Sequence, residues 1–158
     1  FTEINTDHVI FPYEMNFTVT CDSPYGYTPE FTHSITSSST LTKTHVINNT
    51  SDCHEDYIYP LIKISPKSHG TITIQNVTDN NGTMKIDALK NDNFYIDCQH
   101  LKIYDTTNSI ISFESLGVKD TDNIYWPRLA YGENILKFTG DATFEIIYRE
   151  PRKVGAFA

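Results

Sequence analysis

The stretch IYWPRLAYGENILKFTGDATFEIIYREPR, from Ile124 to Arg152, decides the fold. Asn134, Leu136 and Phe138 alternate with Ile135 and Lys137, and further on Phe144, Ile146 and Tyr148 alternate with Glu145, Ile147 and Arg149. Successive side chains of an extended chain point to opposite faces, so a period of two marks strands with one buried and one wet face. Thr139-Gly140-Asp141 supplies a short break between the two runs, and the pair is predicted to form a β-hairpin. Pro127 and Gly132-Glu133 punctuate the approach, next to Trp126, the only tryptophan.

The same period runs back through the chain. After a lead-in over Phe1 to Pro12, Met15, Phe17, Val19 and Cys21 predict a strand that Asp22 to Gly26 ends. Phe31 to Ile47 is rich in Ser and Thr around Ser37-Ser38-Ser39 and reads either as a hairpin with a flexible tip or as a long surface loop; residues 31–56 as a whole read as a loop or insertion. Ile58, Pro60, Ile62 and Ile64 form one face of a strand, with Pro60 at its start or on an edge because proline donates nothing to a ladder. Ile72 and Ile74 predict the next strand. Asp79-Asn80-Asn81-Gly82 predicts a hairpin turn in which the Asn-Gly pair takes positive φ. Met84, Ile86 and Ala88 return on its far side. Phe94, Ile96 and Cys98 point inward, Leu101 and Ile103 continue the run up to a turn at Asp105 to Asn108, and Ile111 with Phe113 predicts one more strand. About nine or ten short strands, separated by turns every eight to twelve residues or so, define an all-β chain folded as an antiparallel β-sandwich.

Composition agrees. The chain has 158 residues, enough for one domain with a sizeable core, and ten Tyr and nine Phe set among Thr, Ile and Asn favour half-buried pleated surfaces. A formal net charge of −8 argues against a nucleic-acid backbone or an anionic membrane as partner. No apolar run reaches the roughly 18 residues of a membrane span, and no charged segment followed by an apolar one opens the chain. Because it begins at Phe1 rather than Met, the chain is expected to be a fragment or processed product of something longer. Cys21, Cys53 and Cys98 fit neither a disulfide framework nor a zinc pattern and read as free, buried thiols. The sequons at Asn16, Asn48, Asn49, Asn76 and Asn81 read as products of an Asn- and Thr-rich composition.

Candidate chemistry is sparse. Asp52-Cys53-His54-Glu55-Asp56 is dense in metal-ligating types, but adjacent side chains diverge, so it reads as a solvated acidic loop. Asp120 to Asn123, within the acidic loop Gly117 to Asn123, lacks the central glycine and distal glutamate of a calcium loop. No nucleophile with a base, paired carboxylates or Gly-rich phosphate loop appears with usable spacing, so no enzymatic activity and no cofactor is expected.

A family resemblance enters here. Trp126, Pro127, Leu129, Gly132, Glu133, Asn134, Ile135, Phe138, Gly140, Ile147, Tyr148 and Arg149 form a pattern that resembles the closing strands of siphophage distal tail proteins. Tyr131 stands where that family often has a proline. "Y-P-x-I-x-I, turn, T-I-x-I-x-N-x-T" from Tyr59 to Thr78 and "F-Y-I-D-C … I-Y" from Phe94 to Tyr104 are similar to the same family. The resemblance implies a galectin-like, jelly-roll type sandwich, the C-terminal domain of a tail hub. It implies a virion location at the tail tip, assembly in the bacterial cytoplasm, and docking to other tail and baseplate proteins such as the tail tube and tail-associated or receptor-binding proteins. It also implies a homo-hexamer formed through a domain absent from this chain. In this reading Pro127, Leu129, Gly132, Glu133, Asn134, Tyr148 and Arg149 are structural. The alternative is a carbohydrate-binding module for host-surface glycans, with Tyr125, Trp126 and Tyr131 as the stacking surface. Packing into the core is the favoured role for Trp126 itself.

Overall fold

A computed structural model describes residues 25–118 and 124–153. Within them, eleven strands run β1 (Tyr25–Tyr27), β2 (Phe31–Thr36), β3 (Lys43–Asn49), β4 (Leu61–Pro66), β5 (Gly70–Asn76), β6 (Gly82–Ala88), β7 (Phe94–Asp97), β8 (Lys102–Asp105), β9 (Gly132–Thr139), β10 (Ala142–Tyr148) and β11 (Pro151–Lys153). All pairings between them are antiparallel. One sheet has the order β2-β10-β4-β7-β8, the other β3-β9-β5-β6, and β1 pairs with β11 as a separate ribbon. The expected all-β sandwich is what the chain forms. The strand expected over Met15 to Cys21 and the acidic motif Asp120 to Asn123 lie outside the described residues.

The decisive stretch departs from the hairpin reading. β9 pairs with β3 and β5, and β10 with β2 and β4, so the two strands belong to opposite sheets. In a hairpin with Thr139-Gly140-Asp141 as its loop, Phe138 would face Ala142 and Leu136 Phe144, and both apolar runs would lie side by side on one face of a single sheet. Crossing between sheets turns both apolar faces into one core, where the Phe138 and Phe144 rings lie 4.9 Å apart. Gly140 makes the crossing with φ +105°, and a Cβ there would sit 2.8 Å from the Thr71 carbonyl oxygen.

Residues 31–47 follow the same rule. The two strands do not pair as a hairpin: β2 joins one sheet and β3 the other, and the Ser37–Thr42 connection is a second crossing, bridged at its tip between Ser38 and Leu41. The two crossings are tied together, since Ser37 N–H donates to the Ala142 carbonyl at 3.0 Å and the Ser37 hydroxyl donates to the Gly140 carbonyl. At this open side of the sandwich His33 of β2 and His45 of β3 share a hydrogen bond of 3.0 Å. Burial, with His33 alongside, lowers the His45 pKa from its usual value.

The opposite side is closed without the strand expected at Ile111 and Phe113. Ile111 N–H donates to the Ile103 carbonyl at 2.9 Å, at the edge of one sheet, and Asp87 N–H donates to the Leu116 carbonyl at 2.8 Å, at the edge of the other. The segment therefore spans both edges, with Ile111, Phe113 and Val118 packed on the core. Leu101 also departs from expectation: it occupies the β7–β8 turn at φ 53° and is exposed.

The β5–β6 hairpin forms as predicted, but its turn is displaced by one residue. Gly82 N–H donates to the Asp79 carbonyl at 2.9 Å, and the positive φ values fall on Asn80 (53°) and Asn81 (57°). Gly82 instead opens β6. Ile62, Ile64, Ile74, Ile96, Ile103, Leu136, Phe138, Phe144 and Ile146 are almost fully buried between the sheets. Each removes a side chain from water at a gain of about 1.5–3 kcal/mol.

Candidate functional site

The segment before β9 forms a buckle around Arg128. Ile58 and Leu129 exchange backbone hydrogen bonds of 2.9 and 2.8 Å, holding the segment before β9 beside the lead-in to β4. Arg128 donates from Nε to Asp79 Oδ2 at 2.7 Å and from its terminal nitrogen to Oδ1 at 3.2 Å, a two-pronged pair. The Tyr125 hydroxyl donates to Asp79 Oδ2 at 2.9 Å, and the guanidinium lies 4.0 Å from the centre of the Tyr57 ring. Hydrogen bonding from Arg128 holds the Asp79 carboxyl below the usual range against the opposing cost of burial, and Tyr125 adds to the effect. Burial and the Asp79 bond together raise the Tyr125 phenol.

Asn134, fully buried, turns its amide back on the loop before it. Its Oδ1 accepts from Ala130 N–H at 2.9 Å, and its Nδ2 donates to the Ala130 and Gly132 carbonyls at 2.8 and 3.0 Å. Gly132 supplies the φ of +87° that this bend needs. Pro127 and Leu129 are buried, Glu133 is exposed, and Arg149 reaches Glu30 at 3.7 Å. Tyr148 is buried and stacks on His33, with ring centroids 5.8 Å apart.

The three proposed stacking aromatics do not form one surface. Tyr125 turns its hydroxyl into the buckle, Trp126 meets Phe113 edge-on at 6.0 Å, and Tyr131 lies against His54 at 3.9 Å. The acidic motif at 52–56 diverges: Asp52 accepts from Lys153 N–H at 3.0 Å, whereas Asp56 accepts from the Cys53 thiol at 3.1 Å. Among the described residues no three metal-ligating side chains converge. Cys53 and Cys98 are buried free thiols, and Cys21 lies outside the described residues. Asn49 and Asn76 are buried and spend their amides on the Leu129 and Arg128 carbonyls at 3.3 and 2.7 Å, which withdraws both sequons from the surface.

A second cluster of tyrosines was missed. A cleft of about 810 Å³ opens over the outer face of the five-stranded sheet, between the β1–β11 ribbon and the Tyr57–Tyr59 segment. Tyr25, Tyr27, Tyr57, Tyr59, Tyr104 and Tyr148 line it, with Leu61, Ile147, Asp97, Gln99, Arg149 and Glu30 among their neighbours. None of Tyr125, Trp126 and Tyr131 does. A signal for it existed in the sequence: Tyr-Gly-Tyr at 25–27 and Tyr-Ile-Tyr at 57–59 are period-two pairs, each placing two rings on one face of an extended segment. The ribbon is anchored by Glu150, whose carboxylate accepts from Thr50 N–H at 3.0 Å, the Thr50 hydroxyl at 2.8 Å and the Arg152 guanidinium at 2.7 Å.

The geometry defines a two-sheet antiparallel sandwich with a tyrosine-lined cleft on one outer face. Its fold is similar to that of the SPP1 Dit (gp 19.1) protein, whose crystal structure is described as a paradigm of the hub adsorption apparatus in phages infecting Gram-positive bacteria. The TM-score is 0.61 at 18% identity, over 83% of this chain and 50% of the Dit chain. The chain thus spans about half the length of that relative. Residues 25–148 match the family described as phage tail C-terminal domain, and the chain belongs to that family. It is a structural domain of a phage tail and part of the virion. No curated protein sequence matches it.

Proposed function

We propose that this chain is the outer domain of a distal tail hub protein, a docking module between the tail and the proteins assembled around its tip. The observation that carries the proposal is the Dit-like fold over 83% of the chain, combined with its span of half the Dit chain. In this reading a ring-forming portion lies outside the 158 residues, six copies close the ring, and assembly takes place in the host cytoplasm. No catalysis is part of the proposal. Three carboxylates are held in ion pairs, Asp79 with Arg128, Glu145 with Lys63 at 3.1 Å and Glu150 with Arg152.

Exposed apolar side chains supply docking area, among them Phe31, Val46 and Leu41 along the β2–β3 side. The test is light scattering on a sizing column and negative-stain imaging of the full-length parent. Six-fold rings with peripheral lobes are the expected result; a monomer or an assembly without a ring overturns the proposal. The isolated 158-residue chain should run as a monomer, and a stable hexamer of it would show that the ring is built by this domain instead.

A further inference from the structure

We infer that the tyrosine-lined cleft is a binding site for an uncharged saccharide, seated on the tyrosine faces with its hydroxyls held by the polar groups between them. At about 810 Å³ the cleft falls within the roughly 300–1,000 Å³ usual for small-ligand sites. Tyr27 is 64% and Tyr59 42% exposed, whereas the core rings Phe94, Phe138 and Phe144 are at most 2% exposed; Arg128 caps Tyr57 and Tyr148 is buried. Rigid aromatic faces with a polar tip match a pyranose, which presents a C–H face and a rim of hydroxyls. The rim needs donors and acceptors together, and the cleft offers Asp97 and Glu30 as acceptors, Arg149 as donor and Gln99 as both.

Two other occupants fit less well. Asp56 adds a third carboxylate to the lining of a chain whose net charge is −8, so a phosphodiester or uronate polymer would be repelled. An added peptide strand finds no free edge in the floor, because β10, β4 and β7 are each paired on both sides.

The experiment is an NMR titration of the ¹⁵N-labelled 158-residue chain with lactose, maltotriose and chitotriose, and in parallel with glycerol 3-phosphate. At least one neutral sugar should shift resonances of the Tyr25–Tyr27, Tyr57–Tyr59 and Asp97–Gln99 segments, with Kd on the order of 1 mM. Tyr27→Ala, at an exposed position, and Gln99→Ala should each weaken binding about tenfold, and Tyr131→Ala, outside the cleft, should leave it unchanged. The inference is overturned if no neutral sugar shifts these segments up to about 20 mM. It is overturned equally if glycerol 3-phosphate binds them as well or better, or if Tyr131→Ala abolishes binding while Tyr27→Ala does not.

Discussion

Arg128 joins three parts of the chain: its guanidinium grips Asp79 of the β5–β6 turn and covers Tyr57, while its carbonyl accepts from Asn76. The Asp79 carboxyl has a lower pKa folded than unfolded, so the stability it contributes is complete above its unfolded value of about 4 and is lost as pH falls through the folded one. Asp79→Asn should therefore lower stability at pH 7 by about 1–3 kcal/mol and flatten the acid arm of a urea-midpoint-versus-pH profile, Arg128 being partly exposed and hence screened. An unchanged acid arm would remove Asp79 from the account. Gly82 offers a second test, because a Cβ there would lie 2.2 Å from Cε2 of Tyr125. Gly82→Ala should cost about 1–3 kcal/mol, and the cost should shrink in a Tyr125→Ala background, as a double-mutant cycle in chemical denaturation would show. This glycine was legible as a turn residue, yet its role is the ring lying over it, which spacing alone could not reveal.

At the scale of elements, alternation located most of the strands, from Ile62 and Ile64 through Ile72 and Ile74 to Phe144 and Ile146, because a buried face writes itself into every second residue. Partnership was less legible. Alternation around Thr139-Gly140-Asp141 suits a hairpin as well as a crossing between sheets, and the chain takes the crossing, with β9 and β10 in opposite sheets. The segment at Ile111 and Phe113 misled for the converse reason: two apolar residues in alternation also suit an irregular strip closing two sheet edges. The tyrosine cleft stayed hidden because its rings come from four separated segments. Phe138 and Phe144 are the rings by which the sheets meet at the crossing, so Phe144→Ala should cost about 3–5 kcal/mol by denaturant titration. Gly140→Ala, positive in φ and against the Thr71 carbonyl, should destabilise by about 1–3 kcal/mol although it adds only a methyl group. If it proved neutral, the crossing would have more slack than the geometry gives it.

For the molecule as a whole, one continuous cluster of buried residues draws on both sheets, and the expected outcome is a single calorimetric transition with van't Hoff and calorimetric enthalpies in agreement. Two resolved transitions would mean that the sheets melt separately. The strand order has a further effect during synthesis. β10 lies between β2 and β4, and β9 between β3 and β5, so strands from near the C-terminal end of the described chain occupy interior places in both sheets. A nascent chain released by the ribosome only as far as Tyr131 would hold the β5–β6 hairpin and the β4-β7-β8 pairings, while β2 and β3 would still lack β10 and β9, the strands they pair with. Until β9 and β10 arrive, the apolar faces of the earlier strands lack the neighbours that complete both sheets, and they stand open to chaperones.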